Sequence, residues 1–291
     1  MEPIKIHPVA LVSQGGGARG AFTAGVQDVL LREQLRFAYV IGTSAGALNN
    51  VDFVSEDHGR SKIVTTEILC DKKFLSLHNL IHKKGLFDFH YLTDELPQSK
   101  LPFDYETFEN SPTRYVCATT SVETGEAVYF EKGKMSDIWA AISASASLPL
   151  LNPPVVIDGK RYLDGGPSAP IPYREAIAEG YDKIVVILTR TRDYRKKPKM
   201  NPAQATLAKA QFRKDKAFLK AYLNWNAVYN KDVEDLLRLE EQGKAFIIAP
   251  SEPISISKTE HNPKKLVPIY EQGVAVMEAL LPDLKRFLAH E

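Results

Sequence analysis

Two residues of this 291-residue chain are best placed to do chemistry: a serine set among small residues and an aspartate that ends a strand. The serine is Ser44, in Gly42-Thr43-Ser44-Ala45-Gly46, which fits G-x-S-x-G. A serine on a sharp strand-to-helix turn exposes its hydroxyl, and Gly42, Ala45 and Gly46 leave room for the turn and for an incoming carbonyl. The plainer reading is a helix N-cap serine. A hydroxyl is a poor nucleophile until a base takes its proton. Asp164, in Asp164-Gly165-Gly166-Pro167, follows the strand-like Arg161-Tyr162-Leu163, and its glycines permit close backbone approach. A carboxylate there can act as the base; the alternative is a turn or N-cap aspartate. Asp158-Gly159 is a rival that a two-residue hairpin turn explains fully.

Histidine is the other candidate base. The chain has His7, His58, His78, His82, His90, His261 and His290, and only the last two follow an acid in the Ser, Asp, His order of an α/β-hydrolase. His261 is the better candidate. That fold places its nucleophile after several strands, whereas Ser44 follows the second.

A third segment, Gly15-Gly16-Gly17-Ala18-Arg19-Gly20, lies between an apolar run and a helical pattern. Glycines there leave amides unshielded at a helix N-terminus, a site that favours negative charge. The segment also fits G-x-G-x-x-G, so a nucleotide-binding module with Ser44 as a mere helix cap is the rival function. A dinucleotide site expects a carboxylate at the end of the second strand. Here that strand ends Val40-Ile41-Gly42-Thr43.

The elements that position these segments are legible in the periodicity. Val9-Ala10-Leu11-Val12 reads as a strand, residues 21–35 as a helix, residues 37–41 as a second strand and Ala47 onward as a second helix. Two βα units at the start imply an α/β sheet. Residues 55–101 read as mixed and mainly helical. Strands follow at 115–119 and 127–130, a buried helix at 138–146, a hairpin around Asp158-Gly159, a helix at 172–179 and a parallel-type strand at 184–188. A strand at 245–249 and a helix at 264–289 close the chain. With no linker of boundary quality, residues 1–291 form one domain carrying a basic helical insertion at about 190–243.

Composition bounds the function. A net charge of +1 offers no field to hold a polyanion, so nucleic acid is not expected as a partner. Cys70 and Cys117 form no metal or redox pattern. The first residues lack the plan of a signal peptide and no apolar run suits a membrane span, which implies a cytoplasmic protein. Between 190 and 220, however, eleven Lys and Arg face only Asp193 and Asp215. With Phe212, Phe218, Tyr222 and Trp225 interleaved, this stretch suits contact with an anionic membrane surface, or is simply a solvated charged helix.

The glycine cluster, Gly42 to Gly46 and Asp164-Gly165-Gly166, in this order and with Ala144-Ser145-Ala146-Ser147-Leu148-Pro149 before the last, resemble the patatin-like phospholipase family. The resemblance spans residues 9–189. It implies a three-layer α/β/α fold with a mostly parallel sheet, and a serine acyl hydrolase that cleaves lipid carboxyl esters, phospholipid or lysophospholipid, through an acyl-enzyme. It makes Ser44 the nucleophile, Asp164 its base, Gly42 and Gly46 the elbow glycines, and Gly15, Gly16, Gly17, Ala18, Arg19 and Gly20 the oxyanion-hole loop. Neither cofactor nor metal is implied. Arg19 is a supporting residue that orients the loop, faces a substrate phosphate or makes a structural ion pair.

Overall fold

The computed structural model describes residues 5–76, 78–79 and 85–289; His82 and His290 lie outside them. Strands β1 (Ile6–Ser13), β2 (Arg36–Thr43), β3 (Arg114–Ser121), β4 (Ala127–Glu131), β5 (Val155–Ile157), β6 (Lys160–Asp164), β7 (Ile184–Ile187) and β8 (Ala245–Ile248) form one sheet. Its order is β5-β6-β3-β2-β1-β7-β8, with β4 beside β3. The run from β3 to β8 is parallel, and β4, β5 and β6 are antiparallel additions.

The major helices are α1 (Gly20–Arg32), α2 (Ala45–Val54), α3 (Arg60–Thr66), α4 (Ile138–Ala146), α5 (Tyr173–Ala178), α6 (Pro202–Gln211), α7 (Lys216–Glu241) and α8 (Pro263–Ala289). Alternation along the strands builds a core on each face, as the period of two requires. Val9, Leu11, Val40, Cys117 and Val185 pack with α1, α2, α4 and α8. Ala10, Val12, Tyr39, Ile41 and Val186 pack with Tyr173 of α5 and with Tyr229, Val233 and Leu236 of α7. The expected three-layer α/β/α fold is therefore present. Parallel β7 and β8 need a crossover, which residues 190–243 supply through α6 and α7.

Two expectations change. Helix α1 stops at Arg32 because Gln34 turns to a φ of 56°, which sends Leu35 into the core and starts β2 at Arg36. Phe212, Phe218, Tyr222 and Trp225, which suited a membrane face, are buried in a third apolar cluster over the carboxyl end of the sheet. Phe218, Tyr222 and Trp225 mark the inner side of α7, and Lys216 and Lys220 lie exposed.

A buried polar knot ties β1, α1 and α2 together. Ser13 Oγ donates to Asn50 Oδ1 at 2.7 Å, and Gln27 Nε2 donates to the same oxygen at 2.7 Å. Both donors are shielded from water, so removing their acceptor costs their desolvation. Asn50→Ala should lower the unfolding free energy by about 2–3 kcal/mol in urea titration; a change within ~0.5 kcal/mol, the range of a surface substitution, would contradict this role.

Candidate active site

Strand register brings the candidate residues together. Across the sheet Thr43 pairs with Ala118, and the next residue of β3, Thr119, pairs with Asp164. Ser44 and Asp164 thus emerge side by side at the carboxyl end of the parallel strands. Ser13 pairs with Gly42, so the glycine loop after β1 opens at the same end. Ligands of open α/β sheets bind at this end.

Ser44 occupies the elbow between β2 and α2 with φ 56° and ψ −124°, a conformation non-glycine residues rarely adopt. A Cβ on Gly46 would lie 2.4 Å from the Ser13 carbonyl, and one on Gly42 would lie 2.5 Å from the Gly46 carbonyl carbon, so only glycine fits either place. The Ser44 amide donates to Ser145 Oγ at 3.0 Å, and Ser145 Oγ donates to the Ala118 carbonyl at 2.6 Å.

Asp164 is held on three sides. Its amide donates to the Ser147 carbonyl at 2.9 Å, its carbonyl accepts from Thr120 Oγ1 at 2.8 Å, and its Oδ1 accepts from the Gly166 amide at 2.7 Å. Its Oδ2 is buried with no hydrogen-bond partner. Burial raises the Asp164 carboxyl above its ordinary range, and Lys258 foremost, then the Ser44 hydroxyl, the Gly166 amide and Lys196 pull it back down. Lys258 is in turn pushed down to about 8, chiefly by burial. The segment 144–149 thus braces both residues, through Ser145 to Ser44 and through Ser147 to Asp164. Its small, apolar-patterned sequence reads as a buried helix, and nothing in that pattern singles out Ser145.

The glycine loop is only partly as expected. The Gly15 amide donates to the Pro170 carbonyl at 3.2 Å, the Ala18 amide to the Lys258 carbonyl at 2.9 Å, and the Gly20 amide turns back onto the carbonyls of Gly17 and Ala18. Ala18, expected to offer a free amide, is committed. The amides of Gly16 and Gly17 have no acceptor among the described residues. Gly17 has φ +57°, and a Cβ there would lie 2.4 Å from the Lys258 carbonyl oxygen. Arg19 is buried, donates from Nη1 to the Ile256 carbonyl at 3.4 Å and leaves Nε unpartnered. Burial, followed by the charge of Arg190, pushes its guanidinium down to about 10.

His261 is corrected. It is exposed, its Nδ1 lies 3.2 Å from the Thr259 carbonyl, and no described histidine lines the space around Ser44. Among the described residues no cluster of His, Cys, Asp and Glu is placed to hold a metal ion, and no helix is long and apolar enough to cross a membrane.

Ser44 stands between two compartments. One is a cavity of about 950 Å³ that also exposes Asp164, Arg19, Arg190, Lys196 and Lys258. The other is a narrow slot of about 50 Å³ walled by apolar side chains, among them Leu48, Val64, Phe74, Phe87, Phe89 and Leu92. Sequence reasoning missed Lys258, Lys196 and the slot, because all depend on contacts between segments distant in the chain.

A serine on a β-to-α elbow, a buried carboxylate beside it and a glycine loop with two free amides define an α/β protein with the layout of a serine hydrolase. The patatin-like phospholipase family model matches residues 11–177, more than half of the chain, and the chain belongs to that family. A second model, a domain of unknown function (DUF6363), matches residues 215–289. Among curated proteins, the uncharacterized protein YjjU of Escherichia coli K12 is 33% identical over 65% of this chain and 54% of its own length. Lysophospholipase NTE1 of Scheffersomyces stipitis is 28% identical over 64% of this chain and 12% of its own. The chain therefore spans about half of the first relative and a small part of the second. VipD from Legionella pneumophila superposes with a TM-score of 0.51 at 15% identity, covering 97% of this chain and 67% of VipD, which is a likeness of fold.

Ser145→Ala would strand the Ser44 amide and the Ala118 carbonyl in a dry interior. The expected outcome is a loss of about 1–3 kcal/mol of stability by chemical denaturation, and an unchanged midpoint would rule out the brace.

Proposed function

We propose that this protein is a serine acyl hydrolase that cleaves a carboxyl ester of a lipid, with Ser44 as nucleophile and Asp164 as its base. The observation that carries the reading is the buried, unpartnered Oδ2 of Asp164 beside the Ser44 hydroxyl. Ser44 Oγ attacks the ester carbonyl carbon while its proton passes to Asp164. The oxyanion that forms accepts from the amides of Gly16 and Gly17, where each donor contributes on the order of 3 kcal/mol to the barrier. The tetrahedral species expels the alcohol, which takes the proton from Asp164, and leaves an acyl-serine. Water, giving its proton to the same carboxylate, then attacks the acyl carbon; the bond to Ser44 Oγ breaks, Oγ takes the proton back from Asp164, and the acid is released. The positive end of α2 starts at Ala45 and favours the same developing charge.

Family membership and the name of NTE1, a lysophospholipase, support a lipid substrate. The apolar slot beside Ser44 supports an acyl chain in that direction. A nucleotide-binding reading fares worse, because Lys258 covers the loop that a diphosphate would need and occupies the Ala18 amide. Cytoplasmic placement with transient contact at a membrane surface belongs to this proposal. Exposed Leu207, close in sequence to Lys209, Arg213 and Lys214, supports it.

Ser44→Ala and Asp164→Asn should each lower ester hydrolysis by on the order of a thousandfold or more. A fluorophosphonate should label wild type and not Ser44→Ala; labelling elsewhere, or full activity in Asp164→Asn, would sink the assignment.

Activity needs ionised Asp164, so it should rise with pH along a limb set by that carboxyl, above the ordinary value of ~4. Lys258 lowers this pKa, so Lys258→Met should move the limb to higher pH. A kcat/KM profile on a short soluble ester reads the shift, and a move toward acid would contradict the electrostatics.

A further inference from the structure

The larger compartment carries far more positive charge than its single carboxylate can balance. Arg19, Arg190, Lys196, Lys197, Lys199 and Lys258 line it, against Asp164 alone. That one carboxylate is committed to Ser44. Neither Arg190, Lys196 nor Lys258 has an ion-pair partner within 4 Å among the described residues.

The cations are held in place before any ligand arrives. Asn230 of α7 clamps the Lys196 backbone, its Oδ1 accepting from the amide at 2.8 Å and its Nδ2 donating to the carbonyl at 2.9 Å. Asn226, one turn earlier, donates to the Lys197 carbonyl at 2.9 Å. Arg190 Nη1 donates to the Ile254 carbonyl at 2.9 Å and fixes the segment that bears Lys258. Three buried donors on the same walls have no acceptor among the described residues: Arg19 Nε, Trp225 Nε1 and Tyr229 OH. Buried donors ordinarily find a partner. Like charges gathered without counter-charge and donors left unmet describe the surroundings of an anion.

We propose that this chamber is a preorganised anion subsite, formed by Arg190, Lys196 and Lys258 with Arg19 behind them, that takes the phosphate of a single-chain anionic lipid. The single chain follows from the narrow apolar slot on the other side of Ser44, which leaves the ester between chain and phosphate at the nucleophile. The lipid half of this assignment rests on the hydrolase reading; the anion half does not.

The same walls argue against a choline headgroup. A quaternary ammonium is recognised by open aromatic faces. Here Lys258 Nζ already lies 3.8 Å from the Trp225 ring centre, Lys196 Nζ lies 4.7 Å from Trp225 and 4.6 Å from Tyr229, and Arg190 lies 4.6 Å from Tyr194. The chain's own cations fill the places a choline would take. Lys196 is lowered well below its usual value, first by burial and then by Lys258 and Arg19. A bound phosphate opposes this lowering.

Calorimetric titration of the full chain with dodecyl phosphate and with dodecylphosphocholine, both below micelle concentration, tests the headgroup. Neither ligand has a carboxyl ester, so the result does not depend on catalysis and survives a failure of Ser44 labelling. Dodecyl phosphate should bind at least tenfold more tightly, and Arg190→Gln and Lys196→Gln should each cut that preference at least threefold. Equal affinity, preference for the choline compound, or a preference unmoved in both variants overturns the subsite. Inorganic phosphate is the third arm. Binding at least tenfold weaker than dodecyl phosphate supports a headgroup held together with its chain; equal binding overturns the lipid assignment in favour of free phosphate.

Discussion

Asp164 is a carboxylate kept out of water with one oxygen unpaired, and the arrangement of the whole carboxyl end of the sheet follows from keeping it there. Burial alone favours the neutral acid. In the proposed role of base it must nevertheless be ionised. The balance is struck by Lys258 from the strap before α8, by Lys196 from the β7–β8 crossover, and by the Gly166 amide that fills Oδ1. Those groups come from three separate stretches of chain, so the carboxylate exists in working form only when the C-terminal third is folded onto the sheet.

That dependence runs through the backbone as well as through charge. Lys258 sends its carbonyl to the Ala18 amide and its ammonium toward Trp225 and Asp164. One residue therefore fixes the glycine loop and lowers the Asp164 carboxyl. The patatin-like match ends at residue 177, before Arg190, Lys196 and Lys258. The region that matches the family contains Ser44, Asp164 and Arg19, and the region beyond it contains Arg190, Lys196 and Lys258. Most of the chamber's positive charge therefore lies outside the patatin-like match, with Lys258 inside the second one.

Much of this was readable beforehand, and the reason is local. Strand and helix periodicities, the Asp158-Gly159 turn and the small residues around Ser44 are each encoded within a few neighbouring positions. Every parallel strand and the limits of α4, α5 and α8 follow from them, as does the placing of Ser44 and Asp164 at the end of a strand. The failures concern contacts between distant segments. Ala18 looked like a free donor because its acceptor, Lys258, is 240 positions away in sequence. The aromatics of α7 looked available to lipid because an amphipathic helix shows which side is apolar and not what covers it. His261 fitted an order of residues and not a place, and the strap carries it to the surface.

Charge shows the limit most sharply. A net of +1 describes a neutral protein, and the excess between 190 and 220 describes a basic surface. Neither describes what folding does with that excess. Arg192 pairs with Glu240, and Lys209, Arg213 and Lys214 stay in solvent, whereas Arg190 and Lys196 join Arg19 and Lys258 around one cavity. In bulk water such charges are screened over about 10 Å and have little selectivity. Gathered on low-dielectric aromatic walls, they act on whatever enters at short range and in fixed geometry. The sum over a sequence counts charges, whereas recognition depends on which of them share a cavity from which counter-charge is missing.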